Sequence, residues 1–170
     1  MHDKTYDSIL QLGTQTDTGD AEGAVVRRAP VPSLTRDRVA AVLDSFVGPL
    51  AQTPPAYSAV KVQGHPAYWW ARRRQPVTLS PRLVRVDSLQ LLECDAQTLT
   101  FRVRCSSGTY IRTLAESMAE RLGTVGHLTR LVRLRIGDWH VDQATPLSWI
   151  QAASSDEVVR ALLPMTTFGY

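Results

Sequence analysis

Cysteine is nearly absent from this 170-residue sequence: Cys94 and Cys105 are the only two, and both sit in apolar stretches. Two such residues cannot staple a small secreted module. They read as reduced core residues of an intracellular protein, with a disulfide between them left as the open alternative. Long hydrophobic runs are missing too. The longest uncharged stretch, Ser45 to Val60, is broken by Pro49, Pro54 and Pro55, so no membrane-spanning helix is expected. No basic-then-apolar leader opens the chain, and no internal repeat, heptad or low-complexity tract interrupts it. With 44% apolar and 21% charged residues the proportions exclude disordered and collagen-like classes. They describe one ordinary domain with a real core, or one domain plus a short appendage, soluble and cytoplasmic in type.

Many signatures of cofactor chemistry are also lacking. There is no phosphate-binding loop ending in Lys-Ser/Thr, no Rossmann glycine triplet and no Gly-x-Ser-x-Gly elbow. The histidines at 2, 65, 127 and 140 and the two cysteines show no metal-ligand spacing. The acidic segment holding Asp17, Asp20 and Glu22 lacks the calcium-loop spacing and its terminal glutamate. It reads as a glycine-rich structured loop. His127 reads as a local hydrogen-bonding residue rather than a base. No metal and no organic cofactor are expected.

What is present is arginine. Lys4 and Lys61 are the only lysines among 19 basic residues. GC-rich coding produces the same ratio, so the ratio alone decides nothing. The distribution says more. Residues 61–135 hold thirteen Lys/Arg against five Asp/Glu, a surplus of eight, whereas both flanks are net acidic and the whole chain is only +3. A regional surplus of this size predicts a basic face of the kind that binds nucleic acid.

The element pattern is mixed rather than strictly alternating, which points to α+β: a mixed, largely antiparallel sheet flanked by helices. Lys4–Gly13 reads as a strand closed by glycine. Behind a Ser33 or Thr35 cap, Val39, Val42, Leu43, Phe46 and Val47 fall on one helical face that Gly48-Pro49 stops. Gln52–Lys61 is extended by its prolines, Gly64-His65-Pro66 turns the chain, and Ala67–Gln75 reads as an aromatic, Arg-rich helix. Strands are expected at Leu83–Leu92 and Thr98–Cys105. The latter alternates Phe101, Val103 and Cys105 with Thr100, Arg102 and Arg104. A helix follows with Ile111, Leu114, Ala115, Met118 and Leu122 on one face. Then come a short helix near His127–Val132, a strand near Leu134–Val141, and a helix at Val158–Leu163 behind a Ser154/Glu157 capping box.

One junction carries chemistry. In Cys105-Ser106-Ser107-Gly108-Thr109-Tyr110-Ile111-Arg112-Thr113-Leu114 a basic-faced strand turns through glycine into a helix start, where backbone N–H groups can receive an anion. Tyr110 and Arg112 differ by about 200° in helical phase, so they share a direction only if Tyr110 still belongs to the turn. Read from the residues alone, Tyr110 packed on the core and Arg112 in solvent are equally compatible.

Here the sequence resembles the TruB-type tRNA pseudouridine synthases. The motifs run in order: Lys4-Thr5-Tyr6 with Leu12-Gly13, Thr16-Asp17-Thr18-Gly19-Asp20-Ala21-Glu22-Gly23, Gln52-Thr53-Pro54-Pro55-Ala56-Tyr57-Ser58-Ala59-Val60-Lys61-Val62-Gln63-Gly64, Cys105 to Leu114, and His127 to Leu134. The resemblance implies that the tRNA T-loop uridine (position 55) is isomerised to pseudouridine with no cofactor. Tyr6 would stack on the flipped uracil, Tyr110 would assist proton removal from C5, Arg112 would pair with the catalytic aspartate, and Leu131 would wall the base pocket. A monomer acting on the tRNA T-arm, away from membranes, is the implied working unit.

The departures from the family matter as well. Its Gly-x-x-Asp motif, with the nucleophilic aspartate, and its base-flipping histidine precede the Lys-x-Tyr strand, but here Met1 stands three residues before Lys4. His2 is no substitute, and Asp17 and Asp20 read as loop-structuring carboxylates. Val132 replaces a frequent second arginine, and Glu116-Ser117-Met118 replaces an acidic-Leu-Gly sequence. The expectation is therefore a partial catalytic domain over 1–144, then a helical C-terminal segment over 145–170 that starts an incomplete appendage. The family would class it as an isomerase, with this chain inactive by itself. The alternative is a catalytically silent RNA-binding module.

Overall fold

Alternating apolar and polar residues make the strands of this chain two-faced, and the computed structural model, which describes residues 2–162, buries one face only. The first unit of structure contains β1 (Lys4–Leu12), β2 (Thr14–Thr16), β3 (Val25–Arg28), α1 (Arg36–Asp44), β4 (Gly48–Gln52), β5 (Lys61–Val62), β6 (His65–Pro66), α2 (Ala67–Arg72), β7 (Arg82–Cys94), β8 (Thr98–Cys105), α3 (Ile111–Arg121) and β9 (Gly126–Ile136). A second, smaller unit begins at Trp139 and holds β10 (Trp139–His140), a 3-10 turn (Val141–Gln143), α4 (Leu147–Ala152) and α5 (Ser155–Ala161). Among the described residues no helix is long and apolar enough to cross a membrane.

The main sheet of the first unit runs β9-β1-β8-β7-β4, with antiparallel pairing at each junction. This is the α+β architecture expected from the element order. Leu10 on β1 and Leu99, Phe101, Val103 and Cys105 on β8 are fully buried on one face. Helix α3 covers that face with Leu114, Ala115, Met118 and Ala119, also fully buried, and α1 adds Val39 and Leu43. Each large apolar side chain removed from water this way contributes roughly 1.5–3 kcal/mol. Cys94 and Cys105 are both free thiols.

The opposite face carries ions. Arg102 grips Asp7 with two hydrogen bonds, 2.7 and 2.8 Å, across the β1–β8 pairing. Arg85 pairs with Asp87, and Arg104 lies near Asp3 and Asp87. The Asp7 carboxyl is held below the usual carboxylate range, first by its hydrogen bond to Arg102. Exposed pairs of this kind stabilise little, because water and salt screen them. They nevertheless consume part of the basic surplus read from the sequence.

Several local expectations are met in detail. Thr35 caps α1, accepting from the Arg38 N–H, and Ser154 with Glu157 forms a reciprocal capping box on α5. Residues 163–170, including the end of the helix expected over Val158–Leu163, lie outside the described residues. Gln63 and Gly64 both have positive φ (50° and 83°), the backbone that a two-residue hairpin requires between β5 and β6.

Four expectations differ. The strand expected near Leu134–Val141 is not continuous: β9 ends at Ile136, Gly137 and Asp138 form a turn, and Val141 opens a 3-10 turn. Helix α1 stops at Asp44. Phe46 still reaches the core beyond the helix end, while Val47 is exposed. The aromatic helix α2 ends at Arg72, three residues before Gln75. The segment His127–Val132, expected as a short helix, is instead part of the eleven-residue strand β9. Its backbone groups find partners along β1, with Ser8 opposite Leu131 and Tyr6 opposite Arg133. Such pairing outweighs a weak local helical pattern.

Two packing details generate predictions. Gly126 opens β9 where a Cβ would fall 2.7 Å from Leu10 Cδ1 and 2.8 Å from the Gln11 carbonyl. Gly126→Ala should therefore cost about 1–3 kcal/mol, read as a lowered urea midpoint with unchanged slope. Glu116 on α3 is half-buried beside Gly19, and burial pushes its carboxyl above the usual value, with a hydrogen bond from Gln15 opposing this. The folded chain thus holds this proton more tightly than the unfolded chain. Its stabilising contribution is complete below the unfolded value of about 4.3 and is lost as pH rises through the folded one. Glu116→Gln should melt higher than the parent near neutral pH and match it near pH 4; parallel melting curves across that range would refute the assignment.

Candidate functional site

The β8–α3 junction is built from short polar residues whose hydrogen bonds replace regular pairing. Ser106 donates its N–H to the Arg85 carbonyl (2.8 Å), and its Oγ accepts from the Arg85 N–H (2.9 Å). Thr109 Oγ1 donates back to the Ser106 carbonyl at 2.9 Å. Gly108 adopts φ +88°, with no atom within 4 Å of where a Cβ would stand, so backbone conformation rather than crowding calls for glycine. Lys4 at the start of β1 donates to Ser107 Oγ (3.0 Å), tying the strand to the turn.

Tyr110 stands at the N-cap position of α3 with φ −93° and ψ 106°, outside the helix proper. This removes the helical-phase objection, because Tyr110 belongs to the turn and Arg112 to the first helical turn. The Tyr110 backbone is held by a residue that sequence reasoning did not single out. Gln52, buried at the end of β4, accepts the Tyr110 N–H (2.7 Å) and donates Nε2 to the Tyr110 carbonyl (3.1 Å).

Arg112 ties two distant segments to the start of α3. One terminal nitrogen donates to the Thr18 carbonyl (2.9 Å) and to Asp20 Oδ2 (3.1 Å), and the other donates to the Tyr57 carbonyl (2.8 Å). Asp20 in turn organises the acidic loop, with Oδ1 accepting from Thr18 Oγ1 (2.6 Å) and the Glu22 N–H (3.2 Å). Asp17 accepts the Ala24 N–H at 2.8 Å. Both acids thus structure the loop, as expected, but Asp20 is also the ionic partner of Arg112. The loop is further pinned to β9 by the Leu128 N–H donating to the Gly19 carbonyl (3.0 Å). His127 is buried with Nδ1 2.8 Å from the Thr14 carbonyl, a local hydrogen-bonding role.

Between the loop, α3 and β9 lies a cleft of about 410 Å³ lined by Asp20, Arg112, Arg130 and Leu131, with Glu22 and Leu128 beside them. Leu131 is 46% exposed there, an apolar wall left open to a ligand. Tyr6 and Leu131 lie on the same sheet face as diagonal neighbours, because Ser8 is opposite Leu131 and Tyr6 is opposite Arg133. Burial pushes the Tyr6 phenol up, and the hydrogen bond with Arg133 works against that shift. Tyr6 packs on the edge of the core, while Tyr110 is half-buried at the other end of the β8 turn. The structure thus brings Arg112 and Leu131 into one cleft and sets Tyr6 beside Leu131. Tyr110 is placed by its backbone, two residues before Arg112. Among the described residues no three His, Cys, Asp or Glu side chains converge as a metal site would require.

Asp20 and Gln52 left little trace in the sequence. Asp20 is one of three acids in its loop, and Gln52 is an uncharged residue before two prolines. Their partners lie 92 and 58 residues away.

The family model and the sequence relatives give the family, and the solved structures give the fold. Residues 1–111 match the model described as TruB family pseudouridylate synthase (N terminal domain). The chain is 44% identical over 163 residues to tRNA pseudouridine synthase B of Aromatoleum aromaticum, covering 96% of this chain and 53% of that one. It is 43% identical over 165 residues to the protein of the same name from Chromohalobacter salexigens, covering 97% and 54%. The chain therefore spans about half the length of the curated relatives it matches. Among solved structures it resembles a chain of a Cbf5-Nop10-Gar1 complex, with a TM-score of 0.64, 23% identity, and coverage of 96% of this chain and 42% of that one. A chain of an H/ACA RNP bound to a substrate RNA containing 2′-deoxyuridine matches at a TM-score of 0.60 and 20% identity, covering 96% and 40%. Family model and sequence identity together carry the assignment, and the chain belongs to the TruB family of pseudouridylate synthases.

Proposed function

We propose that this chain forms the substrate-holding part of a tRNA pseudouridine synthase that isomerises the T-loop uridine. The observation that carries the reading is the cleft where Arg112 and Leu131 meet, in a chain 44% identical to a tRNA pseudouridine synthase B. A target base must leave its stack, at a cost of a few kcal/mol, before its C1′ and C5 can be reached. An aromatic face at Tyr6 and an apolar wall at Leu131 recover part of that cost. In the isomerisation the uracil detaches from C1′, rebonds through C5, then loses the C5 proton while N1 gains one, so nothing is consumed. Tyr110 assists removal of the C5 proton. An ordinary tyrosine with pKa near 10 is a poor base at neutral pH, so this role depends on where its hydroxyl is held.

The nucleophilic aspartate comes from a Gly-x-x-Asp segment that the 170 residues do not contain. Arg112 has five N–H donors, and the three contacts above leave capacity to orient that carboxylate as well. The working protein on this reading is a cytoplasmic monomer acting on tRNA without metal or organic cofactor. The second reading, a silent RNA-binding module, rests on the basic surplus over residues 61–135 and differs only in turnover.

Tritium release from tRNA labelled at uracil C5 separates the two. The chain alone should release none above background, whereas a chimera in which it replaces the matching region of the Aromatoleum aromaticum relative should turn over. Turnover by the chain alone would show that the nucleophile is already present. In the chimera, Tyr6→Ala should cost about 1–3 kcal/mol in tRNA affinity if the ring stacks on a base, and no loss would remove that role. Binding of tRNA by the chain should weaken with salt, log K falling against log salt by about 0.7–0.9 per phosphate neutralised. A flat dependence would dismiss the basic face.

A further inference from the structure

A helix is normally capped at its N-terminus by a short side chain such as Ser, Thr, Asp or Asn, which accepts a first-turn N–H. Helix α3 has Tyr110 in that position, with no side-chain cap of its own. The structure secures this junction from elsewhere. Gln52, 5% exposed at the last residue of β4, meets the Tyr110 peptide groups with both ends of its amide. Oε1 accepts the N–H at 2.7 Å, and Nε2 donates to the carbonyl at 3.1 Å. That carbonyl also accepts the Leu114 N–H at 3.0 Å, so both of its lone pairs are used.

This two-point contact copies the exchange between paired strands, with one side chain in place of a strand. It fixes rotation on both sides of the Tyr110 Cα, and therefore the direction of its Cα–Cβ bond. A helix needing only a cap would be served by serine or aspartate at 110. Keeping tyrosine there requires a donor and an acceptor brought from 58 residues away. Leaving either of the buried Gln52 amide groups unpaired would strand a desolvated polar atom, so the contact is held tightly once formed. Gln52 is itself anchored, because its backbone pairs with Arg82 on β7.

We propose that Gln52 is a positioning residue for Tyr110, aiming the phenol at the reacting base. This deepens the function proposed above and rests on it for its catalytic meaning, while the clamp itself can be read without turnover. The five tyrosines of the chain would be replaced by 3-fluorotyrosine and Tyr110 assigned by Tyr110→Phe. Gln52→Met, close in volume but without hydrogen-bonding capacity, should shift or broaden the Tyr110 fluorine resonance and leave the Tyr6 resonance in place. An unmoved Tyr110 resonance in a folded variant overturns the proposal. Gln52→Glu, which keeps the acceptor and loses the donor, serves if the methionine variant does not fold. Failure of both to fold assigns Gln52 to the fold rather than to positioning, and also overturns it. In the chimera, Gln52→Met should lower the single-turnover rate about 10- to 100-fold with tRNA affinity within about twofold. Equal loss of affinity and rate would again count against positioning. A parent chimera without turnover would sink the proposed function and leave the fluorine spectrum to decide the clamp.

Discussion

The rest of this structure depends on the pairing of β1 between β8 and β9. Leu10 and Phe101 are fully buried on the same face, and a one-residue slip of β1 would turn Leu10 toward water and bring Asp7 inside. The register is therefore fixed by burial, and the site inherits it. Tyr6 and Leu131 are diagonal neighbours because β1 and β9 pair as they do. The β8 turn reaches Lys4 because Lys4 is opposite Cys105, at the very end of β8.

Charge divides along the same line. On the open face of the sheet, arginines 85, 102 and 104 meet aspartates 3, 7 and 87, and much of their charge is spent within the molecule. On the covered face Arg112 is engaged by one carboxylate and two backbone carbonyls. Its contacts join the acidic loop, the proline-rich segment after β4 and the first turn of α3. A guanidinium suits this task because its planar fork can serve three acceptors at once, which an ammonium on a flexible stem does less well. The regional surplus of basic residues is thus real in the sequence, but only part of it remains to face a polyanion.

The two holding contacts, Gln52 on Tyr110 and Arg112 on the loop, place the candidate site on rigid supports. Each joins a loop or turn to a regular element, which is how a ligand-facing surface acquires fixed geometry without being part of a strand or helix. The acidic loop shows the same economy: Asp17 and Asp20 organise its backbone, while Asp20 also receives Arg112.

Much was legible in the sequence alone. The strand Thr98–Cys105, the helical face from Ile111 to Met118, the Thr35 cap and the Ser154 capping box were all readable, because period, capping chemistry and glycine punctuation act over a few residues. The ordered motifs from Lys4 to Leu134 also carried the family resemblance. Tertiary structure alone decided three things. It made His127–Val132 a strand, since its partner β1 lies more than a hundred residues earlier. It turned Asp20 from a loop acid into the partner of Arg112, and it gave Gln52 its two contacts with Tyr110. The reason is the same in each case: these residues acquire their roles from groups far away in sequence, which only the folded sheet brings within hydrogen-bonding distance.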